Sequence, residues 1–108
     1  LWPDFKDDDF NGQGEIKLSD GSEYMGQFKD NMPHGYGIQK YKNGKSYTGE
    51  FKFSKYDGKG ILIELDGSQY NGEWSDGKKN GKAVITLSNG SQIIEVWNKG
   101  SFVSSQFL

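Results

Sequence analysis

Few side chains in this 108-residue sequence are equipped for chemistry, and each stands in a setting that argues against its use. The single imidazole, His34, directly precedes Gly35. No second histidine and no cysteine exists to complete a metal site or a nucleophilic pair. The residues around it are turn formers, so a loop role is expected. Asp7-Asp8-Asp9 lacks the alternating ligands and distal glutamate of a calcium loop and reads as a solvated loop. Glu50 and Glu73 could in principle do acid–base work, but catalytic carboxylate pairs need unlike surroundings in a cleft. These two hold equivalent places, each one residue after a glycine, and read as cross-strand partners of lysines. The pairs Gly12-x-Gly14, Gly35-x-Gly37 and Gly58-x-Gly60 are not phosphate cradles, because a helix would have to follow and a strand pattern does. No catalytic set, cofactor motif or metal motif assembles, so a chain that is not an enzyme and carries no cofactor is expected.

Charge narrows the partners. Every basic residue is lysine, and the net charge is −2. Reading of bases and bidentate capture of phosphate lean on arginine, so no nucleic-acid partner is expected. Lys78, Lys79, Lys82 and Lys99 outweigh Glu95 near the C-terminal end and are the candidate contacts to an anionic lipid surface. No apolar stretch approaches the roughly 18–20 residues that span a bilayer. The chain is 32% hydrophobic but 15% aromatic, with 16 glycines. Disordered chains are poor in aromatics, whereas a thin sheet that lays large rings against glycine fits both figures.

The elements that would carry these residues repeat. Tyr24, Tyr47 and Tyr70 are spaced by 23; Gly26, Gly49 and Gly72 follow by two, and Phe28, Phe51 and Trp74 by four. Gly35, Gly58 and Gly81, then Gly37, Gly60 and Ala83, hold later slots, and Gly44, Gly67 and Gly90 end each unit. Carried backwards, the register meets Phe5, Gly12, Gly14 and Gly21; carried forwards, it meets Trp97. Alternation places Tyr24, Gly26 and Phe28 on one strand face. A polar loop such as Lys29-Asp30-Asn31-Met32-Pro33-His34 separates the two strands of a unit. Asp20-Gly21, Asn43-Gly44, Asp66-Gly67 and Asn89-Gly90 read as two-residue hairpin turns with positive φ at both positions. Glycine is normally avoided inside strands; here it leaves a gap that a neighbouring ring can fill, and each unit needs the next to bury its rings.

The recurring Tyr-x-Gly-x-Phe/Trp, Gly-x-Gly and Asp/Asn-Gly-Ser-x-Tyr pattern, clearest in Tyr47-Thr48-Gly49-Glu50-Phe51 and Tyr70-Asn71-Gly72-Glu73-Trp74, resembles the MORN repeat (membrane occupation and recognition nexus). The resemblance covers about residues 1–98. Leu1 and Pro3 in the first unit, Ile93 and Glu95 in the last, and Ala83 depart from it, as terminal caps of an array do. Glu64 stands in an apolar slot shared with Leu18, Tyr41 and Leu87, where a bulge could exchange the two faces.

The expected fold is all-β: an elongated, single-layer, twisted antiparallel meander of tandem β-hairpin repeats, an open array of about 8–10 short strands. The units are about 1–23, 24–46, 47–69 and 70–92, with a partial one at 93–98. Residues 99–108, with Phe102, Val103, Phe107 and Leu108, form a tail expected to cap the last hairpin or dock on a partner. The resemblance implies a protein-interaction scaffold that is cytoplasmic, set in a cytoskeletal, ciliary or membrane-associated assembly. The candidate partner face is Tyr24, Phe28, Tyr47, Phe51, Tyr70, Trp74 and Trp97, whose exposed ring edges would meet a helix or extended peptide. The alternatives are a phosphoinositide or anionic-membrane module and a regulatory segment of a larger enzyme. The open edges would also allow edge-to-edge self-association.

Overall fold

In the computed structural model, which describes residues 11–108, nine strands form one sheet in chain order, every neighbouring pair antiparallel. They are β1 (Gly12–Lys17), β2 (Glu23–Lys29), β3 (Met32–Lys40), β4 (Ser46–Lys52), β5 (Lys55–Ile63), β6 (Gln69–Ser75), β7 (Lys78–Thr86), β8 (Gln92–Asn98) and β9 (Ser101–Phe107). The sheet is open, and the described residues contain no helix. Leu1, Pro3, Phe5 and Asp7-Asp8-Asp9 lie outside the described residues. Residues 101–107 of the tail are the ninth strand, paired with β8 through Ile93↔Phe107 and Trp97↔Phe102. That pairing completes the hairpin begun at Gln92.

The turns are the reverse of the sequence expectation. The segment read as a polar loop contains the tight two-residue turn: φ is positive at both Asp30 and Asn31, and likewise at Phe53-Ser54, Asp76-Gly77 and Lys99-Gly100. These are type I′ turns. At the Asp-Gly and Asn-Gly pairs only the glycine has positive φ. There Leu18 N–H donates to Ser22 O and Gly21 N–H to Leu18 O, a type I turn closed by a glycine bulge, repeated at Tyr41, Glu64 and Leu87. The Asp20 carboxylate accepts from the Ser22 amide (2.9 Å) and hydroxyl (2.6 Å), which holds its carboxyl below the ordinary range. Aspartate or asparagine is therefore present to fold its side chain onto the turn rather than to supply positive φ. Glu64 sits in this turn like its counterparts and pairs with Lys45 (3.6 Å); the register on either side of it is unbroken.

The units starting at Tyr24, Tyr47 and Tyr70 each carry one bulge. Gly26 pairs with Gly37 but Phe28 with Pro33, and the same slip recurs at Gly49/Phe51 and Gly72/Trp74. The bulge exposes amides that would lose their ladder partners. Gln27 Oε1 accepts from Tyr36 N–H and Glu50 Oε2 from Lys59 N–H, both at 2.8 Å. Glu50 thus plugs a backbone gap; the expected role as partner of a lysine side chain is corrected. The bulges curl the sheet. Bulges bend the strands that carry them and increase their twist; the molecule measures 51 × 24 × 19 Å, and the buried rings lie on the inner side.

Candidate interaction surface

Register sorts the side chains into two faces. One carries the rings. Tyr24 and Tyr47 are 0% exposed, Tyr70 2%, and Phe28, Phe51 and Trp74 are buried as well. Each tyrosine hydroxyl donates to the carbonyl three residues on: Tyr24 to Gln27 (2.7 Å), Tyr47 to Glu50 (2.8 Å), Tyr70 to Glu73 (2.9 Å). A Cβ at Gly37 or Gly60 would collide with the hydroxyl end of Tyr24 or Tyr47, so glycine is required where the ring crosses the backbone. Burial raises the Tyr24 and Tyr70 hydroxyls to about 12, and raises Tyr47 and Tyr56 further. Edge-to-face contacts of 5.0–5.7 Å link Phe28, Tyr24, Phe51, Tyr47, Trp74 and Tyr70, with the Phe51 ring lying between the tyrosines of two units.

This overturns part of the expected site. Six of the seven residues assigned to the partner face have no free edge to offer, because the curl and the next unit's ring cover them. The seventh, Trp97, is half-buried, with Phe102 against it at 5.5 Å and its indole N–H donated to Glu95 (2.9 Å). The slot after each type I′ turn supplies part of the cover. Pro33 is fully buried, Tyr56 stacks on Tyr47 at 3.7 Å, and Lys79 Nζ lies 4.8 Å from the Tyr70 ring centre and 4.6 Å from that of Trp97.

Of the four candidate lipid-contact lysines, only Lys78 and Lys99 are brought together. Lys79 is packed between rings, exposed Lys82 stands on the opposite face beside Val96, and Lys78 and Lys99 are at the type I′ edge. His34, read from the sequence as a loop residue, lies instead in β3 and has a structural role there. Its Nδ1 accepts from the Phe53 amide (3.3 Å), just as Asn11 accepts from Asp30, Asp57 from Asp76 and Asn80 from Lys99. In three of the turns the second amide bonds the preceding hairpin too: Ser54 to Pro33 O, Gly77 to Tyr56 O and Gly100 to Lys79 O. The acceptor shared by Asn11, His34, Asp57 and Asn80 was the sequence signal for this latch. No group of three or more potential metal ligands gathers among the described residues.

The face left open is the one behind the rings. Register aligns Met25, Ile38, Thr48, Ile61, Asn71, Val84 and Ile94 in one row across seven strands. A groove of about 560 Å³ crosses it, walled by Tyr36, which is 59% exposed, with Thr48, Glu50, Lys59 and Ile61 along it. Sequence reasoning missed this row, because the regular tyrosines and glycines on the other face dominate the pattern. Its signal was the aliphatic or β-branched residue one position after each of Gly37, Gly60 and Ala83.

No helix among the described residues is long and apolar enough to cross a membrane. No curated protein matches the chain. The family model described as MORN repeat matches residues 4–23, 24–46, 47–63 and 70–92. With rings nested on glycine at the matched period and one hairpin per unit, the chain belongs to the MORN-repeat family, a repeat module rather than a catalytic family.

Proposed function

We propose that this chain is a non-catalytic protein-interaction scaffold whose partner, a helix or an extended peptide, lies across the open face. The observation that carries this reading is the row from Met25 to Ile94. The rings are consumed by the fold, while this row, half-buried and apolar except at Thr48 and the exposed Asn71, crosses seven of the nine strands and is flanked mostly by polar residues such as Glu50, Lys59, Glu73 and Lys82. Exposed apolar rows rimmed by polar residues are the usual mark of an interface. A cytoplasmic setting within a cytoskeletal, ciliary or membrane-associated assembly suits such an array. The membrane-binding alternative has less support, since its four lysines are dispersed over two faces and an edge. Regulation of an attached enzyme remains compatible with a module of this kind.

The test begins with partners captured by the intact array. These are then titrated against the Ile38→Asp/Ile61→Asp double variant, with circular dichroism confirming the sheet. The expected result is a loss of affinity of at least about tenfold, the usual scale for a central interface residue, with hydrogen-exchange protection along β3, β5 and β7. Unchanged affinity in a folded variant would refute the reading.

A further inference from the structure

We infer that the edge formed by the turns at Phe53-Ser54, Asp76-Gly77 and Lys99-Gly100 binds an extended acidic polypeptide, with Phe53 as its apolar anchor. This surface is separate from the open face and stands whether or not that face binds. Three observations carry it.

The first is Phe53 itself. It holds φ at 47° in a turn position that Asp30, Asp76 and Lys99 fill elsewhere, and it is 46% exposed. A bulky residue in the left-handed region is strained. Here the strain is not offset by burial, since among the described residues the one ring against it is His34 at 4.8 Å. A turn under no demand but stability would carry asparagine, aspartate or glycine here.

The second is charge. Segments 52–55, 75–78 and 98–101 carry Lys52, Lys55, Lys78 and Lys99 against Asp76 alone, and all five are exposed. Asp76 pairs with Lys55 at 3.2 Å, and Asp57 lines the hollow at Phe53 together with Lys52 and Lys55, so Lys52, Lys78 and Lys99 leave an excess of two positive charges along the edge. The turns at the other ends of the hairpins, 18–22, 41–45, 64–68 and 87–91, hold two lysines and three acids. The chain is acidic overall, so this local excess is a property of one edge.

The third is order. The latches from His34 to Phe53, Asp57 to Asp76 and Asn80 to Lys99 hold the turns in single file, so the cations need not be arranged on binding. The usual twist of about 20–25° per strand turns the three successive tips through about a right angle. A flat bilayer would meet them one at a time, whereas an extended chain can follow the spiral. Charge complementarity therefore selects an acidic segment carrying an aliphatic or aromatic residue.

The experiment is fluorescence anisotropy of the full chain with a labelled oligoglutamate bearing one central leucine. Binding is expected to weaken steeply between low and moderate salt, as exposed charges do. Lys52→Glu should lower affinity about tenfold while Lys42→Glu, on the opposite edge, leaves it unchanged. Phe53→Asn should raise the melting temperature and still weaken the peptide, a pairing of signs that a purely structural Phe53 would not give. The inference fails if the peptide does not bind at low salt. It fails if Lys42→Glu and Lys52→Glu act equally. It also fails if phosphatidylserine vesicles bind more tightly than the peptide and lose binding with the same Lys52 and Phe53 variants, since the edge would then serve a membrane.

Discussion

At the scale of single residues, the array is organised by where a tyrosine ring crosses a glycine. Gly60 lies under Tyr47, whereas the equivalent Ala83 accompanies Tyr70, so one methyl is tolerated only where the ring sits differently. Gly60→Ala should therefore cost about 1–3 kcal/mol, the usual range for overpacking, measured by urea unfolding. A cost below about 0.5 kcal/mol, within the range of surface substitutions, would mean that the ring does not rest there. Tyr47→Phe removes the bond to Glu50 O and should cost about 0.5–1.5 kcal/mol. The buried hydroxyls also set a pH limit. Their folded values lie above the ordinary tyrosine value of 10.0, at about 12 for Tyr24 and Tyr70. The neutral form is favoured in the fold, so this contribution is complete below pH 10 and is lost as pH rises through 10 towards 12 and beyond. Ionisation of Tyr24, Tyr47 and Tyr70, followed residue by residue by NMR, should appear together with loss of the β signal in that window; any of the three ionising at pH 10 in an intact sheet would contradict the burial. The sequence disclosed these ring and glycine slots because identical demands at identical positions produce a period. It did not disclose that nesting leaves no free ring edge, because exposure depends on curl.

At the scale of the hairpin, the bulge and the latch are one device. The bulge moves Met32–His34 out of simple register, and the strand edge so displaced takes the two amides of the next type I′ turn. Neither turn type was legible from dipeptides alone. Phe53-Ser54 has no preference for positive φ, and Asp20-Gly21 has one but uses it only at glycine. What fixes the geometry is the strand length on either side, together with the acceptor nineteen residues back in Asn11, His34, Asp57 or Asn80. Asn80→Ala leaves the Lys99 amide without that acceptor. It should lower stability by about 0.5–1.5 kcal/mol and speed hydrogen exchange at Lys99 while leaving the Asp76 amide protected. Equal acceleration at both turns would show that the latches do not act unit by unit. Lys79 teaches the same lesson about side chains. Its charge suggested a surface site, but its slot, shared with Pro33 and Tyr56, belongs to the cover of the rings.

For the whole molecule, the question is whether the units are interchangeable. Sheet order follows chain order, so every strand pairs only with its sequence neighbours, and the ring contacts reach one unit further at equivalent places; removing a whole period therefore supplies each contact with an equivalent partner. Deleting residues 47–69 joins Ser46 to Tyr70. Tyr70 then takes the place of Tyr47 beside β3, Trp74 takes that of Phe51 against Tyr24, and the Asp76 amide replaces that of Phe53 on His34. The contact between Tyr47 and Trp74 already shows that indole fits this environment. The shortened chain should fold, unfold in one transition, and show a urea m-value lower by about one fifth, in proportion to the surface removed. Deleting only Ser46–Lys52 makes a different demand. It leaves β3 and β5 consecutive and pointing the same way, and a parallel pair needs a crossover that the turn cannot supply. That variant should lose the cooperative transition. If it folds as well as the full-period deletion, or if deleting 47–69 abolishes the sheet, the equivalence of places spaced 23 apart is a likeness of sequence and not of structure.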